Sequence, residues 1–161
     1  ESSGPHSNGF SLIRKIISES DLSSEKFNMI TDMALKPTHL YPSLIMQLLA
    51  NHKIHGMAHI TGGGLSNLLR LHDSLGWHID SPLPILPEFL WLANNGSVND
   101  REMHRTFNMG MGMTIAVNKD AADSVESWLS KRLPGCKRVG FVHDEGRKVT
   151  HINPEIIFEH Y

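Results

Sequence analysis

His55-Gly56-Met57-Ala58-His59-Ile60-Thr61-Gly62-Gly63-Gly64-Leu65 is the stretch on which the fold turns. Ile54, Gly56, Ala58 and Ile60 alternate with His55, Met57 and His59, the period of two that a strand imposes. Three glycines end that strand, and Leu65, Leu68 and Leu69, with His72 beyond, resume at helical spacing. The glycines therefore occupy a strand-to-helix turn. Such a turn presents bare backbone N–H groups at the positive end of a helix, an anion site in outline with phosphate as its natural ligand. It is not a Walker loop, because no Gly-Lys-Ser/Thr follows, and it is not Gly-x-Gly-x-x-Gly. A flexible connection would use the same glycines, so the turn alone leaves both readings standing.

Upstream, a polar run from Ser2 to Gly9 leads into Phe10, Leu12, Ile13, Ile16 and Ile17 at helical spacing, with Ser7 or Asn8 expected as the helix cap. Phe27, Ile30, Met33 and Ala34 predict a short helix that Lys36-Pro37-Thr38 breaks. Pro42 suits the first residue of a helix carrying Leu44, Ile45, Leu48 and Leu49 as far as Asn51, expected to pack on a sheet. Downstream, residues 77–79 predict a short strand, and Pro82, Pro84 and Pro87 an extended linker. Phe89, Leu90 and Leu92 then predict a helix closed at Asn95-Gly96. Asn99 with Glu102 resembles a capping box opening a helix through Phe107. Residues 109–117 predict a buried strand whose Gly110 and Gly112 let something approach the backbone closely. Ala122, Val125, Trp128 and Leu129 mark an amphipathic helix. Residues 136–143 and 148–152, flanking Asp144-Glu145-Gly146-Arg147, predict a hairpin. Strands joined by helices in this order imply a mixed-sheet α/β or α+β domain.

Composition narrows the class. The chain has 161 residues, 40% hydrophobic and 20% charged, enough for one domain with its own core. With 15 Lys and Arg against 17 Asp and Glu, it carries no excess of cations for nucleic acid or an anionic membrane, and neither is expected as a partner. Eleven His make the charge climb as the pH falls through about 6.5. A single Cys, Cys136, cannot form an internal disulfide, which fits a reducing, cytoplasmic location. No run approaches the roughly 18 apolar residues of a membrane helix. The start Glu1-Ser2-Ser3-Gly4, without Met, reads as that of a fragment.

Two further segments carry polar groups that suit an anion. His6-Ser7-Asn8-Gly9 places imidazole, hydroxyl and amide groups at a helix start, although capping alone would explain Ser7 and Asn8. Arg105 precedes the glycine-bearing segment and could clamp a phosphate or carboxylate bidentately, or simply favour a helix C-terminus. His52, His55 and His59 lack a Cys or acidic partner to complete a ligand set, so no metal is expected there. Cys136 has no activating neighbour on its own side of the predicted strand, and Met109, Met111 and Met113 read as core filler.

Taken together, residues 6–12, Lys36-Pro37-Thr38-His39-Leu40-Tyr41, residues 59–64 and Met103-His104-Arg105-Thr106-Phe107-Asn108 through Gly112-Met113 resemble the C-terminal domain of the aminoimidazole ribonucleotide synthetase (phosphoribosylformylglycinamidine cyclo-ligase) family. The likeness runs in order from about Gly4 to His143 and is weakest after Arg147. Pro5 and Phe10 depart from it, where the family often has an aliphatic residue and Tyr. The resemblance implies an α+β, three-layer α/β/α domain with a mixed sheet, residues 1–161 forming a single C-terminal domain whose N-terminal, ATP-binding partner domain lies outside this chain. It implies a purine-biosynthetic reaction in which ATP activates the formyl oxygen of formylglycinamidine ribonucleotide, and a nitrogen of the same molecule closes the ring with loss of phosphate. ATP and Mg²⁺ would be held mainly by the N-terminal domain, and the full-length protein would be a homodimer.

By the same resemblance Gly62, Gly63 and Gly64 belong to the substrate-phosphate side, with His6, Ser7, Asn8, Gly9, Thr38, Tyr41, His59, Thr61, Arg105 and Asn108 lining the cleft. No general base is assigned. Relatives in the superfamily, formylglycinamidine ribonucleotide synthetase, thiamine-monophosphate kinase, selenophosphate synthetase and a hydrogenase maturation factor, share ATP-dependent activation. The Pro37-Thr38-x-x-Tyr41 and Arg105-Thr106-Phe107-Asn108 signatures favour the cyclo-ligase. A noncatalytic phosphate-binding or partner-binding module is the alternative from another class.

Overall fold

The computed structural model describes residues 1–133 and 135–161. Helices α1 (Phe10–Glu19), α2 (Ser24–Ala34) and α3 (Pro42–Asn51) precede strand β1 (Gly56–His59). A 3-10 helix (Gly64–Arg70) leads to β2 (Gly76–Ile79), followed by α4 (Pro87–Gly96), α5 (Asp100–Thr106), β3 (Met113–Ala116) and α6 (Ala122–Ser130). Strands β4 (Gly140–His143), β5 (Val149–His151) and β6 (Ile157–Phe158) complete the order. The α+β class with a mixed sheet is realised in two pieces. β1 and β3 form an antiparallel ribbon with Gly56 opposite Ala116 and His59 opposite Met113. The other four strands lie in the order β4-β2-β5-β6, with β2 antiparallel to β4 and parallel to β5.

The expected terminal hairpin is not formed: β4 and β5 flank β2 instead of pairing with each other. Trp77 and Ile79 of β2 are both buried, so β2 takes the central position, while Phe141 and Val142 of β4 stay exposed on an edge. The turn between β4 and β5 crosses the start of β2 at Gly76, where a Cβ would lie 2.6 Å from the Gly146 carbonyl oxygen. Local turn chemistry in the sequence marked the bend correctly but not the strand inserted into it.

Helix ends follow the sequence with one exception, and one strand starts later than expected. Asn99 caps α5 by accepting from the Glu102 N–H at 2.9 Å, and Pro42 and Pro87 open α3 and α4. α1, however, is capped by Gly9 at φ 72 with no side-chain bond, because the Asn8 amide donates to the His6 carbonyl at 2.7 Å. The strand expected over 109–117 begins only at Met113, since Met109 and Gly110 have φ values of 47 and 96 and turn the chain.

Three clusters form the core. Ile60, Leu65, Leu68, Leu69, Trp77, Val149 and Phe158 fill the space between the sheet and the 3-10 helix. Ile13, Ile16, Phe89, Leu92, Met103 and Phe107 join α1, α4 and α5. Leu48, Val125 and Leu129 pack α3 and α6 with Ile115 of β3, so α3 does cover a sheet, the two-stranded one. No described helix is long and apolar enough to cross a membrane.

Candidate functional site

Residues 2–9, 61–64 and 107–112 converge beside the end of β1. The Ser2 N–H donates to the Gly110 carbonyl at 2.8 Å, and the Ile60 N–H to the Gly112 carbonyl at 2.9 Å. Asn108, 1% exposed, donates through Nδ2 to the Gly4 carbonyl at 2.7 Å and accepts from the Gly110 N–H at 3.0 Å. Its amide thus fixes two loops to each other and shapes the site from beneath. Three of the four non-glycine residues with positive φ among the described residues are here, namely His6 at 53, Ser7 at 61 and Met109 at 47. Backbone of this kind persists where surrounding bonds over-determine it, at a cost of about 1–3 kcal/mol per residue.

The glycine turn is built with its carbonyls tied and its amides open. Asn67 donates through Nδ2 to the carbonyls of Gly62 (3.0 Å) and Gly64 (2.8 Å), and Ser66 donates through Oγ to that of Gly63 (2.7 Å). The Gly64 N–H donates to the Thr61 carbonyl at 2.8 Å. The N–H groups of Gly62 and Gly63 meet no acceptor among the described residues. The Gly63 N–H shares its peptide plane with the Gly62 carbonyl that Asn67 holds, and the Gly62 N–H shares its plane with the Thr61 carbonyl that the Gly64 N–H holds, so both unclaimed donors are fixed, which is what an anion nest requires. Gly64 has no alternative: a Cβ at its φ of 53 would stand 1.9 Å from the His104 carbonyl oxygen. Gly62 abuts Asn8, whose Oδ1 would lie 3.0 Å from a Cβ there.

Beside the turn sits a cluster of rings from three elements. His6 is 3% exposed, and its Nε2 accepts from the Ser3 backbone N–H at 3.0 Å. A neutral His6 therefore carries its proton on Nδ1, which faces Nε2 of His59 at 3.4 Å. Burial, then the imidazoles of His59 and His39, push His6 down to about 4. Burial lowers His59 as well. The rings stay neutral at physiological pH, His6 as a donor to His59. Tyr41 completes the cluster, its ring 5.6 Å from that of His59 and its hydroxyl donating to the Glu1 carbonyl at 3.0 Å. Burial first, then Glu1, raises its hydroxyl to about 12, so it stays protonated. Gly112 makes room for both, since a Cβ there would strike the Tyr41 oxygen at 2.0 Å and His6 Cε1 at 2.8 Å.

Arg105, on the last turn of α5, is half-buried and makes no hydrogen bond or ion pair among the described residues. Thr38 and Thr61 are half-buried, and Ser7 is exposed. Gly9 lies against Phe107, whose Cε1 would be 2.2 Å from a Cβ. The sequence reading passed over Ser3, His39, Ser66 and Asn67. For the last two a signal existed: Ser66 three residues after Gly63, and Asn67 three after Gly64 and five after Gly62, are placed to bond back to the turn's carbonyls. His55 is exposed and His52 packs on Trp128 at 5.7 Å, each apart from the His6 cluster.

Residues 1–153 match the family model described as AIR synthase related protein, C-terminal domain, so the match extends past the His143 limit expected from motifs. The phosphoribosylformylglycinamidine cyclo-ligase of Methanopyrus kandleri is 42% identical over 152 residues, covering 92% of this chain and 44% of its own length. The enzyme of the same name from Xanthomonas campestris pv. campestris strain 8004 is 44% identical over 150 residues, covering 88% and 44%. That of Sulfurisphaera tokodaii is 39% identical over 159 residues, covering 98% and 47%. The chain spans less than half the length of these relatives. Over residues 1–153 it belongs to the AIR synthase related protein C-terminal domain family.

Proposed function

We propose that this chain is the C-terminal portion of a phosphoribosylformylglycinamidine cyclo-ligase and supplies the substrate-phosphate wall of its cleft. The observation that carries the reading is the pair of Gly62 and Gly63 N–H groups without an acceptor among the described residues, their peptides held by the Gly64–Thr61 bond and by Asn67. A ribose phosphate docked there would lie near the Asn8 loop, and Arg105, next in the chain to His104 whose carbonyl faces Gly64, has a guanidinium without a partner among the described residues to offer it. The neutral His6, His59 and Tyr41 cluster borders this position with groups that bond to a substrate without adding charge. Together with Thr38, Thr61, Ser7, Gly9, Gly64 and Asn108, these groups orient the formylglycinamidine portion toward a phosphoryl donor and exclude water from the activated amide.

Chemically, the terminal phosphate of ATP passes to the formyl oxygen, the attacking nitrogen forms the new C–N bond, and phosphate leaves with that oxygen. Among the described residues no group of three or more His, Cys, Asp or Glu is placed to hold a metal. On this reading ATP and Mg²⁺ are held mainly by the N-terminal domain of the enzyme, in a homodimer of the cytoplasm.

Gly62→Ala in a full-length enzyme tests the reading better than Gly63→Val. Gly63 has φ 93, so a side chain strains the backbone as well as crowding Tyr161, whereas Gly62 needs only a small shift of the Asn8 side chain. Gly62→Ala should weaken substrate binding by roughly tenfold or more while the thermal midpoint moves by about 4 °C or less. Unchanged affinity in the folded variant would make the turn a connector only.

A further inference from the structure

Between α1, α2 and α4, apart from the glycine turn, two polar groups are shut away from water without partners. Glu88, in the first turn of α4, is 6% exposed; its Oε1 is buried, and its carboxyl group enters no hydrogen bond or ion pair among the described residues. Three residues on, Trp91 stands on the same face of the helix, and its indole Nε1–H is buried with no acceptor among the described residues. Both line a cavity of about 280 Å³ whose other walls include Ile13, Ile30, Met33 and Ala34. Lys26 also lines it, is exposed, and forms no ion pair among the described residues.

A carboxyl group withdrawn from water without a donor is unfavourable, and proteins keep such groups where something pairs with them. Here a carboxylate and an indole one helical turn apart line a chamber whose other walls are apolar except for Lys26, near the lower size limit of small-molecule pockets. We propose that the chamber binds a small organic ammonium whose N–H groups donate to Glu88. Its alkyl stem lies against Ile13, Ile30 and Met33, and a hydroxyl oxygen on that stem accepts from the Trp91 indole. The indole face adds attraction for the cation. Lys26 carries the same charge as this ligand and limits the site to a single ammonium. The inference does not depend on the cyclo-ligase reading, since the residues proposed to contact the ligand lie outside the glycine-turn site, although Pro5 of the adjoining 2–9 loop also lines the chamber.

The test uses the 161-residue chain and the indole N–H signals of its three Trp in proton–nitrogen correlation spectra, with Trp91 assigned through Trp91→Phe. The probes are 4-amino-1-butanol and 1-pentanol, alike in length and differing in charge. The amino alcohol should shift the Trp91 signal saturably, with an affinity at least about tenfold tighter than that of 1-pentanol. Glu88→Gln keeps the shape and removes the charge, and should weaken amino-alcohol binding by at least about tenfold. No saturable shift, an equal response to 1-pentanol, or unchanged affinity in folded Glu88→Gln overturns the proposal. Should circular dichroism find Glu88→Gln unfolded, the two probes on the unaltered chain decide the matter alone.

Discussion

Gly112→Ala would drive a methyl group into the ring cluster that borders the glycine turn. The new Cβ would stand 2.0 Å from the Tyr41 hydroxyl oxygen, 2.8 Å from His6 Cε1 and 3.1 Å from Ser2 Cα. Gly112 has no positive φ, so the penalty is steric and not conformational. Neither neighbour retreats freely: Tyr41 is 6% exposed and bonded to the Glu1 carbonyl, and His6 is held by Ser3. Overpacking of this kind costs about 1–3 kcal/mol, and the displaced hydroxyl loses a bond worth about 1 kcal/mol. A loss of about 2–4 kcal/mol follows, which in a chain of this size lowers the thermal midpoint by about 4–16 °C. The assay is a double-mutant cycle by urea and thermal unfolding over the parent, Gly112→Ala, Tyr41→Phe and the double variant. Tyr41→Phe removes the oxygen that the methyl group would strike, so the cost of Gly112→Ala should shrink by about 1 kcal/mol or more in that background. Additivity within about 0.5 kcal/mol would refute the close approach of Tyr41 to the backbone as the reason for glycine here.

Acid should weaken the fold through its buried imidazoles. His6 and His151 are pushed down to about 4, both by burial first, from an ordinary value of 6.5. Between those values the unfolded chain binds more protons, so their contribution is complete above pH 6.5 and is lost as the pH falls toward 4. His6→Asn, which tolerates the left-handed backbone, should flatten the decline in urea midpoint over that range; an unchanged slope would contradict it. Gly64→Ala and Gly146→Ala both add a side chain at positive φ, but the first meets a carbonyl oxygen at 1.9 Å and the second meets nothing within 4 Å. Gly146→Ala should cost about 1–2 kcal/mol and fold, and Gly64→Ala should cost clearly more or abolish folding, as read by circular dichroism. Finally, the 161-residue chain should show no cyclo-ligase turnover alone and should gain it when the N-terminal portion of a relative is supplied; turnover at a full-length rate by the chain alone would locate the whole reaction within it.

The parts legible in the sequence were those governed by neighbours along the chain. The alternation before Ile60, the capping pair Asn99 and Glu102, and the prolines opening α3 and α4 are satisfied within a few residues, and each is where it was expected. What escaped was set by segments distant in sequence. The β4 to β5 turn has the composition of a hairpin, yet burial of Trp77 and Ile79 on β2 draws that strand between them. Asn8 had the chemistry of a cap, yet the positive φ of His6 and Ser7 brings its amide to the His6 carbonyl and leaves capping to Gly9.

The candidate site divides in the same way. Its glycines and histidines were visible as residue types, but the property that would make the turn an anion nest was not. An anion nest needs amides that are unclaimed and fixed, and that condition depends on what holds the carbonyls that share their peptide planes, those of Thr61 and Gly62. Were those two carbonyls unbonded, they would rotate and carry the Gly62 and Gly63 N–H groups with them, and three glycines would indeed be a flexible connection. As it is, rotation of the Gly62–Gly63 peptide must break the 3.0 Å bond to Asn67, 4% exposed, and rotation of the Thr61–Gly62 peptide must break the 2.8 Å bond from the Gly64 N–H. Rigidity that glycine's own side chain cannot supply therefore comes from Asn67 and from the turn's closing bond, which hold the two N–H groups in advance.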